Sequence, residues 1–322
     1  MMIQKIAQIL KTENSFIVVT HISPDGDAIG SLLATYLALS NMGKNALPLL
    51  KDKIPHLYDF LPSQDKVIAT LDELSFTPKW IIALDCAEEK RICGDIAKVR
   101  KHAGLINIDH HPTNPHYGDL NLVNSSATST SEIVYQILKA TGHPISVNVA
   151  KCLYTGLVTD TGGFRFAGVN SNTFQIAAEL LDTGFDSYEV CKSLFEEYPL
   201  GRLQLEKLML ERLEQLLDGR LVISTLYSTD FEKLGLDRSD AEDLVNMLKQ
   251  VRGTEVGVLI TEMENGVTRV SLRSKNQIDV SAIAQTLGGG GHRRAAGIRT
   301  QLSPQEVKSH IERAVSLHLS NN

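Results

Sequence analysis

The sequence predicts an α/β protein with two domains. Three observations indicate this: apolar strand-like runs alternate with helical patterns as far as about residue 195, a second alternation begins at Arg220, and 322 residues suffice for two ordinary cores. Such alternation favours parallel sheets covered by helices. We therefore expect a parallel-sheet domain with helices on both faces over residues 1–195, a helical linker over 196–218, a smaller α/β domain over 219–322, and a cleft between the domains.

Composition and cysteine spacing exclude several classes of protein. Hydrophobic residues make up 43% of the chain, and no apolar run reaches the roughly 18 residues of a membrane-spanning helix, so no membrane partner is expected. The N-terminus has no continuous apolar signal core, and Ile3, Ile6 and Leu10 instead predict an amphipathic helix. The four cysteines show no Cys-x-x-Cys spacing, which argues against structural zinc and for a reducing compartment. We expect a cytoplasmic protein.

Three clusters of oxygen and nitrogen ligands each follow an apolar strand-like run. His21, Asp25 and Asp27 follow the run 16–19. Asp85 follows the run 80–84, and Asp109, His110 and His111 follow the run 105–108. Because the carboxyl ends of parallel strands share one edge of a sheet, these residues can converge. Carboxylate oxygen suits Mg or Mn, and imidazole adds a preference for transition metals. A metal site at this edge is the first hypothesis.

Structural roles stay open for several of these residues. Asp25 and Asp27 flank a glycine in ordinary turn chemistry, and Asp27 is placed to cap the helix that begins at Ala28. Pro112 holds the preceding pair, His110 and His111, in an extended or turn conformation. In that conformation one imidazole can face a metal and the other a substrate, or both can simply be exposed on a loop. Cys86, next to the second cluster, is either a further ligand or a small buried residue.

Asp160 is a fourth element, at the polar, glycine-marked end of a helical pattern. Val149, Leu153 and Leu157 form the apolar face of that helix. A carboxylate at a helix C-terminus is disfavoured by the helix dipole unless a cation offsets it. The carboxylates gathered at one edge are enough to hold two ions through a shared ligand. In two-metal hydrolases, ions about 3.5–4 Å apart clamp the attacking and leaving oxygens of a phosphoryl centre.

These motifs resemble those of the DHH phosphoesterase superfamily, named for the triad that stands here as Asp109, His110 and His111. The resemblance covers nearly the whole chain. The first motifs extend from His21 to Asp160, and residues 288–297 are similar to the glycine-rich signature of the accessory DHHA1 domain. It implies two divalent metal ions, usually Mn, with Mg or Co as alternatives. Two ligand sets that share Asp85 as a bridge are implied: His21, Asp25 and Asp85 for the first ion, and Asp27, Asp85, His110 and Asp160 for the second.

The resemblance also implies roles for the remaining residues of the triad. His111 would face the phosphate or the leaving oxygen, and Asp109 would orient the histidine pair, as outer partners of metal-ligating imidazoles generally do.

The C-terminal part carries a basic stretch that favours a small polyanion as partner. Between Arg269 and Arg299, six basic residues stand against the single acid Asp279, in a chain of net charge −6. Duplex DNA usually needs a more extended basic face, so we expect no duplex DNA partner. The four glycines at 288–291 can let backbone N–H groups approach an anion closely, and a plain loop remains the alternative. The resemblance implies that a set of residues holds the terminal phosphate and sugar of a nucleotide: Arg273, Ser274, Gly289, Gly290, Gly291 and His292.

The DHHA1-containing branch of the superfamily implies two activities. One is 3′–5′ hydrolysis of short single-stranded RNA, down to dinucleotides, to give mononucleotides. The other is removal of the 3′-phosphate from adenosine 3′,5′-bisphosphate (pAp). Two alternative functions stay open: hydrolysis of cyclic or linear dinucleotides, and nucleotide sensing without turnover. A homodimeric assembly also stays open. A sensor should lack a metal position, and none is missing from this sequence.

Overall fold

The computed structural model of the chain describes residues 1–241, 243–263 and 266–320. The chain divides into two compact units, Met1–Glu197 and Tyr198–Asn322. Within the described residues, none of the helices combines the length and the apolar composition needed to cross a membrane.

A five-stranded sheet in the order β2-β1-β3-β4-β5 forms the centre of the first unit. Its strands are β1 (Ser15–Val19), β2 (Asn45–Leu49), β3 (Trp80–Leu84), β4 (Gly104–Asp109) and β5 (Leu120–Val123). All four neighbouring pairs are parallel, which confirms the predicted sheet. The strand order reverses between β1 and β3, and ligands of open α/β sheets bind at the carboxyl ends beside such a reversal.

Seven helices of the first unit accompany the sheet: α1 (Met2–Thr12), α2 (Gly26–Asn41), α3 (Ala97–Arg100), α4 (Thr130–Thr141), α5 (Val147–Asp160), α6 (Ser171–Leu181) and α7 (Ser187–Phe195). Alternate strand residues point to opposite faces. Phe16, Val18 and Ile82 pack in one core with α1, α2, α4 and α5. Ile17 and Ile81 pack in a second core, covered by the one-turn α3 and by 3-10 turns. Helices therefore lie on both faces, with the long ones on one side.

Helices α2 and α5 approach each other at glycine. A methyl group at Gly30 would lie 2.5 Å from the carbonyl oxygen of Cys152 and 2.9 Å from the backbone nitrogen of Gly156. A methyl group at Gly156 would lie 2.6 Å from Oδ1 of Asp27. This close approach brings Asp27, at the start of α2, towards Asp160, at the end of α5.

The second unit contains a mixed sheet in the order β10-β11-β9-β8-β7-β6. Its strands are β6 (Glu214–Leu216), β7 (Leu221–Leu226), β8 (Val256–Glu262), β9 (Thr268–Ser274), β10 (Gly290–His292) and β11 (Ala295–Thr300). Only the pair β7 and β8 is parallel among these described strands, so the expectation of a parallel second sheet was wrong. The five residues between Glu262 and Thr268 can join only antiparallel neighbours, because a parallel connection needs a long crossover.

Helices of the second unit are α8 (Leu200–Glu211), α9 (Ser228–Leu234), α10 (Leu244–Gln250), α11 (Val280–Gln285) and α12 (Pro304–Ser320). Leu205 and Met209 of α8 are fully buried and pack with Val222 and Leu226 of β7. The residues expected as a linker, 196–218, therefore lie mostly within the second unit, where α8 forms part of a core.

We expect Gly30→Ala to lower the free energy of unfolding by about 1–3 kcal/mol, because the new methyl group would press on the backbone of α5. Urea denaturation followed by circular dichroism measures the change. The control is Ser40→Ala on the exposed surface of the same helix, which should stay within about 0.5 kcal/mol of the parent. Identical curves for both variants would contradict the close packing of α2 on α5.

Candidate metal centre

The structure brings the predicted ligands to one edge of the first sheet. His21 lies just beyond β1 and forms an isolated bridge with Ile92, Asp85 directly follows β3, and His110 directly follows β4. Asp160 is the last residue of α5. Among residues of the first unit alone, oxygen and nitrogen atoms that lie within 4.8 Å of one another define three groups: His21 with Asp25 and Asp85; Asp27 with His110 and Asp160; and Asp85 with Asp109 and His111.

Asp25 and Asp27 share the turn into α2 but have different roles there. The side chain of Asp25 accepts a hydrogen bond of 3.1 Å from the backbone N–H of Ala28, so Asp25 is the N-cap. The expectation that Asp27 caps this helix was therefore wrong, because the helix begins at Gly26, two residues before the expected Ala28. Asp27 is fully buried in the first turn and faces the neighbouring helix α4.

The N-terminus of α4 supplies donors to the centre. The backbone N–H groups of Thr130 and Ser131 donate to the two oxygens of Asp27 at 2.5 and 2.9 Å. The hydroxyl of Thr130 donates to Oδ1 of Asp85 at 3.1 Å. The positive end of a helix stabilises nearby anions, so α4 offsets part of the negative charge gathered here.

Asp85 occupies the middle of the centre, and its two oxygens face different groups. Its Oδ2 lies 3.7 Å from Nε2 of His21. Its Oδ1 lies 3.5 Å from Nε2 of His110 and 3.6 Å from Nδ1 of His111. The residue is 2% exposed and has a φ of 52°. A non-glycine residue in this left-handed region is uncommon, and it persists only where the surroundings fix it.

His110 joins the centre to α5. Its Nε2 lies 3.1 Å from Oδ2 of Asp160 and also faces Asp85, while its Nδ1 lies 3.4 Å from the carbonyl oxygen of Ala127. Asp160 thus lies where the helical pattern places it, at the C-terminus of α5 and beside an imidazole.

Burial and mutual proximity shift the ionisation of these groups. Burial disfavours the charge of His21, but Asp85 and Asp25 outweigh it and raise the pKa of His21 to about 9. Burial, together with Asp85 and Asp160, raises the pKa of Asp27 well above its usual value. Burial also raises the pKa of Asp160, although His110 opposes this effect. Positive charge among these oxygens is therefore strongly favoured, whether carried by a protonated imidazole or by a cation.

This donor set fits divalent metal ions. Carboxylate and imidazole donors from separate elements converge within 4.8 Å in each group, without a thiolate. Cys86 is buried, and its thiol donates to the carbonyl oxygen of Glu88, so it acts as a small buried residue. Such a mixture of hard oxygen and borderline nitrogen ligands is typical of sites for Mg, Mn and related ions.

Comparison with known proteins agrees with this geometry. The profile of the DHH family, N-terminal domain, matches residues 15–157, and that of the DHHA1 domain matches residues 218–317. A Thermus thermophilus protein named bifunctional oligoribonuclease and PAP phosphatase NrnA is 35% identical over 293 residues, which are 91% of this chain and 86% of that protein. The chain belongs to the DHH phosphoesterase family. It is a hydrolase that acts on phosphoester bonds.

Solved structures of DHH proteins share the fold. An exopolyphosphatase-related protein from Bacteroides fragilis superposes with a TM-score of 0.89 at 25% identity, covering 98% of this chain and 96% of that one. RecJ from Thermus thermophilus in complex with Mn²⁺ gives a TM-score of 0.59 at 15% identity, covering 98% of this chain and 55% of that chain. The second likeness concerns the fold alone.

Asp109 and His111 of the DHH triad form a tight pair. Nδ1 of His111 lies 2.8 Å from Oδ1 of Asp109, which is fully buried. Burial would raise the pKa of Asp109, but the hydrogen bond from His111 reverses this and lowers it. Because Asp109 remains a carboxylate, it accepts the Nδ1 proton and leaves Nε2 as the second functional nitrogen of the ring.

Sequence reasoning missed several polar residues around this DHH centre. They are Thr130, Ser131, Asn107, Asn114 and Tyr117. A signal for the first two is present, because Ser129 and Glu132 have the spacing of a capping box, which marks the start of α4. Asn107 is also visible as an amide inside an otherwise apolar strand.

The residues expected to bind substrate lie in the DHHA1 unit. Arg273 lies on the partly exposed face of β9, where buried and partly exposed residues alternate. Ser274 is 2% exposed, and its hydroxyl donates to the carbonyl oxygen of Arg293, so it supports the hairpin of β10 and β11. Gly290, Gly291 and His292 form β10, in that hairpin.

The first two glycines of the run 288–291 terminate helix α11. The backbone N–H groups of Gly288 and Gly289 donate to the carbonyl oxygens of Gln285 and Ala284 at the end of α11. A methyl group at Gly289 would lie 2.2 Å from the carbonyl oxygen of Gly297. Gly289 is therefore required for close packing in this part of the unit, and its N–H group already has an acceptor.

We expect Mn²⁺ to raise the melting temperature of EDTA-treated protein, because a ligand bound only by the folded state adds about 2.7 kcal/mol at 100 times its dissociation constant. Differential scanning calorimetry with and without Mn²⁺ measures the shift. Asp85→Ala should abolish most of it, since Asp85 faces both groups of donors. Asp119→Asn alters a partly exposed carboxylate that pairs with Arg100 and accepts from the backbone N–H of Leu105, away from these donors, and should keep the full shift. Equal melting temperatures with and without Mn²⁺, Mg²⁺ or Co²⁺ would contradict a metal centre.

Proposed function

We propose that this chain is a Mn-dependent phosphoesterase that hydrolyses short oligoribonucleotides to mononucleotides and pAp to AMP. The observation that carries the proposal is the position of Asp85, whose two oxygens face two separate groups of buried donors. A shared carboxylate of this kind suits two-metal phosphoryl chemistry. The name of the Thermus thermophilus relative supports these substrates, and the mixture of carboxylate and imidazole donors supports Mn.

Each group of donors has a proposed role. His21, Asp25 and Asp85 would hold one ion, and Asp27, Asp85, His110 and Asp160 would hold the other. Bound ions would activate water and stabilise the negative charge that develops on phosphoryl oxygens.

The protein's own contribution to the reaction comes from the Asp109–His111 pair. Asp109 accepts the Nδ1 proton of His111 and fixes the orientation of the ring. As an imidazolium, His111 would then donate from Nε2 to a phosphate oxygen or give its Nε2 proton to the leaving oxygen, while Nδ1 keeps its hydrogen bond to Asp109. Fixing the imidazole in advance lowers the reorganisation needed during the reaction.

Substrate selection is proposed to reside in the DHHA1 unit. The guanidinium of Arg273 would bind a terminal phosphate through charge-assisted hydrogen bonds, which are stronger than neutral ones. His292, Gly290 and Gly291 would contribute further donors from β10, with Gly289 and Ser274 as their structural support.

A panel of substrates tests the proposed function. Purified protein with Mn²⁺ should release AMP from the linear dinucleotide pApA and from pAp, whereas EDTA should abolish both reactions. Faster cleavage of cyclic di-AMP than of pApA or pAp would assign the chain to cyclic dinucleotides. Hydrolysis of pyrophosphate alone would contradict the proposal, and nucleotide binding without turnover at saturating Mn²⁺ would favour a sensor.

We expect Arg273→Ala to raise the KM for pAp by about 10- to 150-fold, the range for loss of a hydrogen bond to a charged group. Metal content, measured by mass spectrometry, should equal that of the parent. The matched control is Arg269→Ala, which removes an arginine from the same face of β9. Loss of metal in Arg273→Ala, or an equal rise in KM for both variants, would contradict the assigned role.

A further inference from the structure

A buried polar network lies behind the metal centre, and we propose that Asn107, Asn114 and Tyr117 are positioning residues for Asp85 and His111. The inference deepens the proposed function and rests on it for its effect on turnover. Asn107 is fully buried and Asn114 is 6% exposed. Buried amides in an α/β core are costly unless all their groups are paired, so their presence beside the centre requires a physical explanation.

The first argument concerns the backbone around Asp85. Its left-handed conformation is strained for a residue with a Cβ atom, so flanking groups must hold it. On one side, the hydroxyl of Thr20 donates to the carbonyl oxygen of Leu84 at 2.9 Å. On the other side, the hydroxyl of Tyr117 donates to the carbonyl oxygen of Cys86 at 2.8 Å. The turn that presents Asp85 is thus fixed at both ends.

The second argument concerns the orientation of His111. Asn114 donates from Nδ2 to Oδ2 of Asp109 at 2.6 Å, while Oδ1 of the same carboxylate faces Nδ1 of His111. The backbone N–H of His116 donates to Oδ1 of Asn114 at 2.8 Å, which fixes the direction of the amide. Asn114 therefore fixes one oxygen of Asp109, and the other oxygen, which also accepts from the backbone N–H of His110, holds the imidazole.

Asn107 joins the two halves of the network. Its Oδ1 accepts from Nδ2 of Asn114 at 2.8 Å, and its Nδ2 donates to the hydroxyl oxygen of Tyr117 at 3.0 Å. Burial raises the pKa of Tyr117, so its hydroxyl stays neutral and can donate. A satisfied buried network is rigid, and this one connects the turn at Asp85 with the DHH triad.

Two variants separate the two arms. Tyr117→Phe removes the shortest of three hydrogen bonds to the carbonyl oxygen of Cys86, to which Asn107 and Asn114 donate at 3.4 and 3.3 Å. We expect the dissociation constant for Mn²⁺, measured by calorimetric titration, to rise about 10-fold or more. Asn114→Ala removes the donor to Asp109 at 2.6 Å together with a longer contact of 3.3 Å to the carbonyl oxygen of Cys86. We expect kcat for pAp to fall about 10- to 100-fold while KM changes less than about threefold. If Asn114→Ala does not fold, Asn114→Ser replaces it.

Tyr135→Phe is the matched control. Tyr135 is a buried tyrosine, 5% exposed, whereas Tyr117 is partly buried, and the hydroxyl of Tyr135 donates to Glu179 outside the centre. This variant should lose a similar amount of thermal stability while its Mn²⁺ affinity and kcat stay within about twofold of the parent. The proposal is overturned if Tyr117→Phe and Asn114→Ala behave like the control in both measurements.

The metal measurement keeps this inference distinct from the proposed function. If the parent binds Mn²⁺ but hydrolyses no nucleotide, the proposed function fails. Weaker Mn²⁺ binding by Tyr117→Phe would still support the positioning of Asp85, whereas unchanged binding in that case would overturn the inference as well.

Discussion

Negative charge buried at one sheet edge is the constraint on which the first unit depends. Asp27 and Asp85 lie in the interior and face Asp160, so the folded state requires positive charge close to their oxygens. The chain supplies part of it through the imidazoles of His21 and His110 and through the N-terminus of α4. These groups compensate the carboxylates only in part. The same arrangement therefore favours folding around cations and gives those cations a fixed location.

Backbone features translate this requirement into geometry. Gly30 on α2 and Gly156 on α5 allow these two helices to approach closely. As a result, Asp27 at the start of α2 and Asp160 at the end of α5 reach one centre. The strained turn at Asp85 directs one carboxylate between two groups of donors. Neither feature would be favourable in isolation, because a glycine weakens a helix and a left-handed aspartate is strained. Both become understandable as conditions for assembling the site.

The sequence predicts the convergence of the strand-end residues because continuous apolar runs mark parallel strands, and the residues after those runs must share an edge. Asp160 is predictable for a similar reason, from the end of a helical pattern. The donors from Thr130 and Ser131 are not predictable in this way, since they act through backbone N–H groups contributed by a distant helix. Alternation of strands and helices likewise misled the expectation for the second sheet, where a five-residue connection after Glu262 imposes antiparallel pairing.

The chemistry of the centre also limits what it can distinguish. Its donors are carboxylates, imidazoles and the terminus of a helix, which interact with metal ions and phosphoryl oxygens but do not read a base or a sugar. Phosphoesters that differ only in their nucleoside part would therefore meet the same groups here. In the proposed function, selectivity would come from contacts elsewhere in the chain, and the face of β9 that carries Arg269 and Arg273 has the charge that a terminal phosphate requires. Under the proposed function, the DHH unit determines which bond type is cleaved and the DHHA1 unit determines which molecules present it.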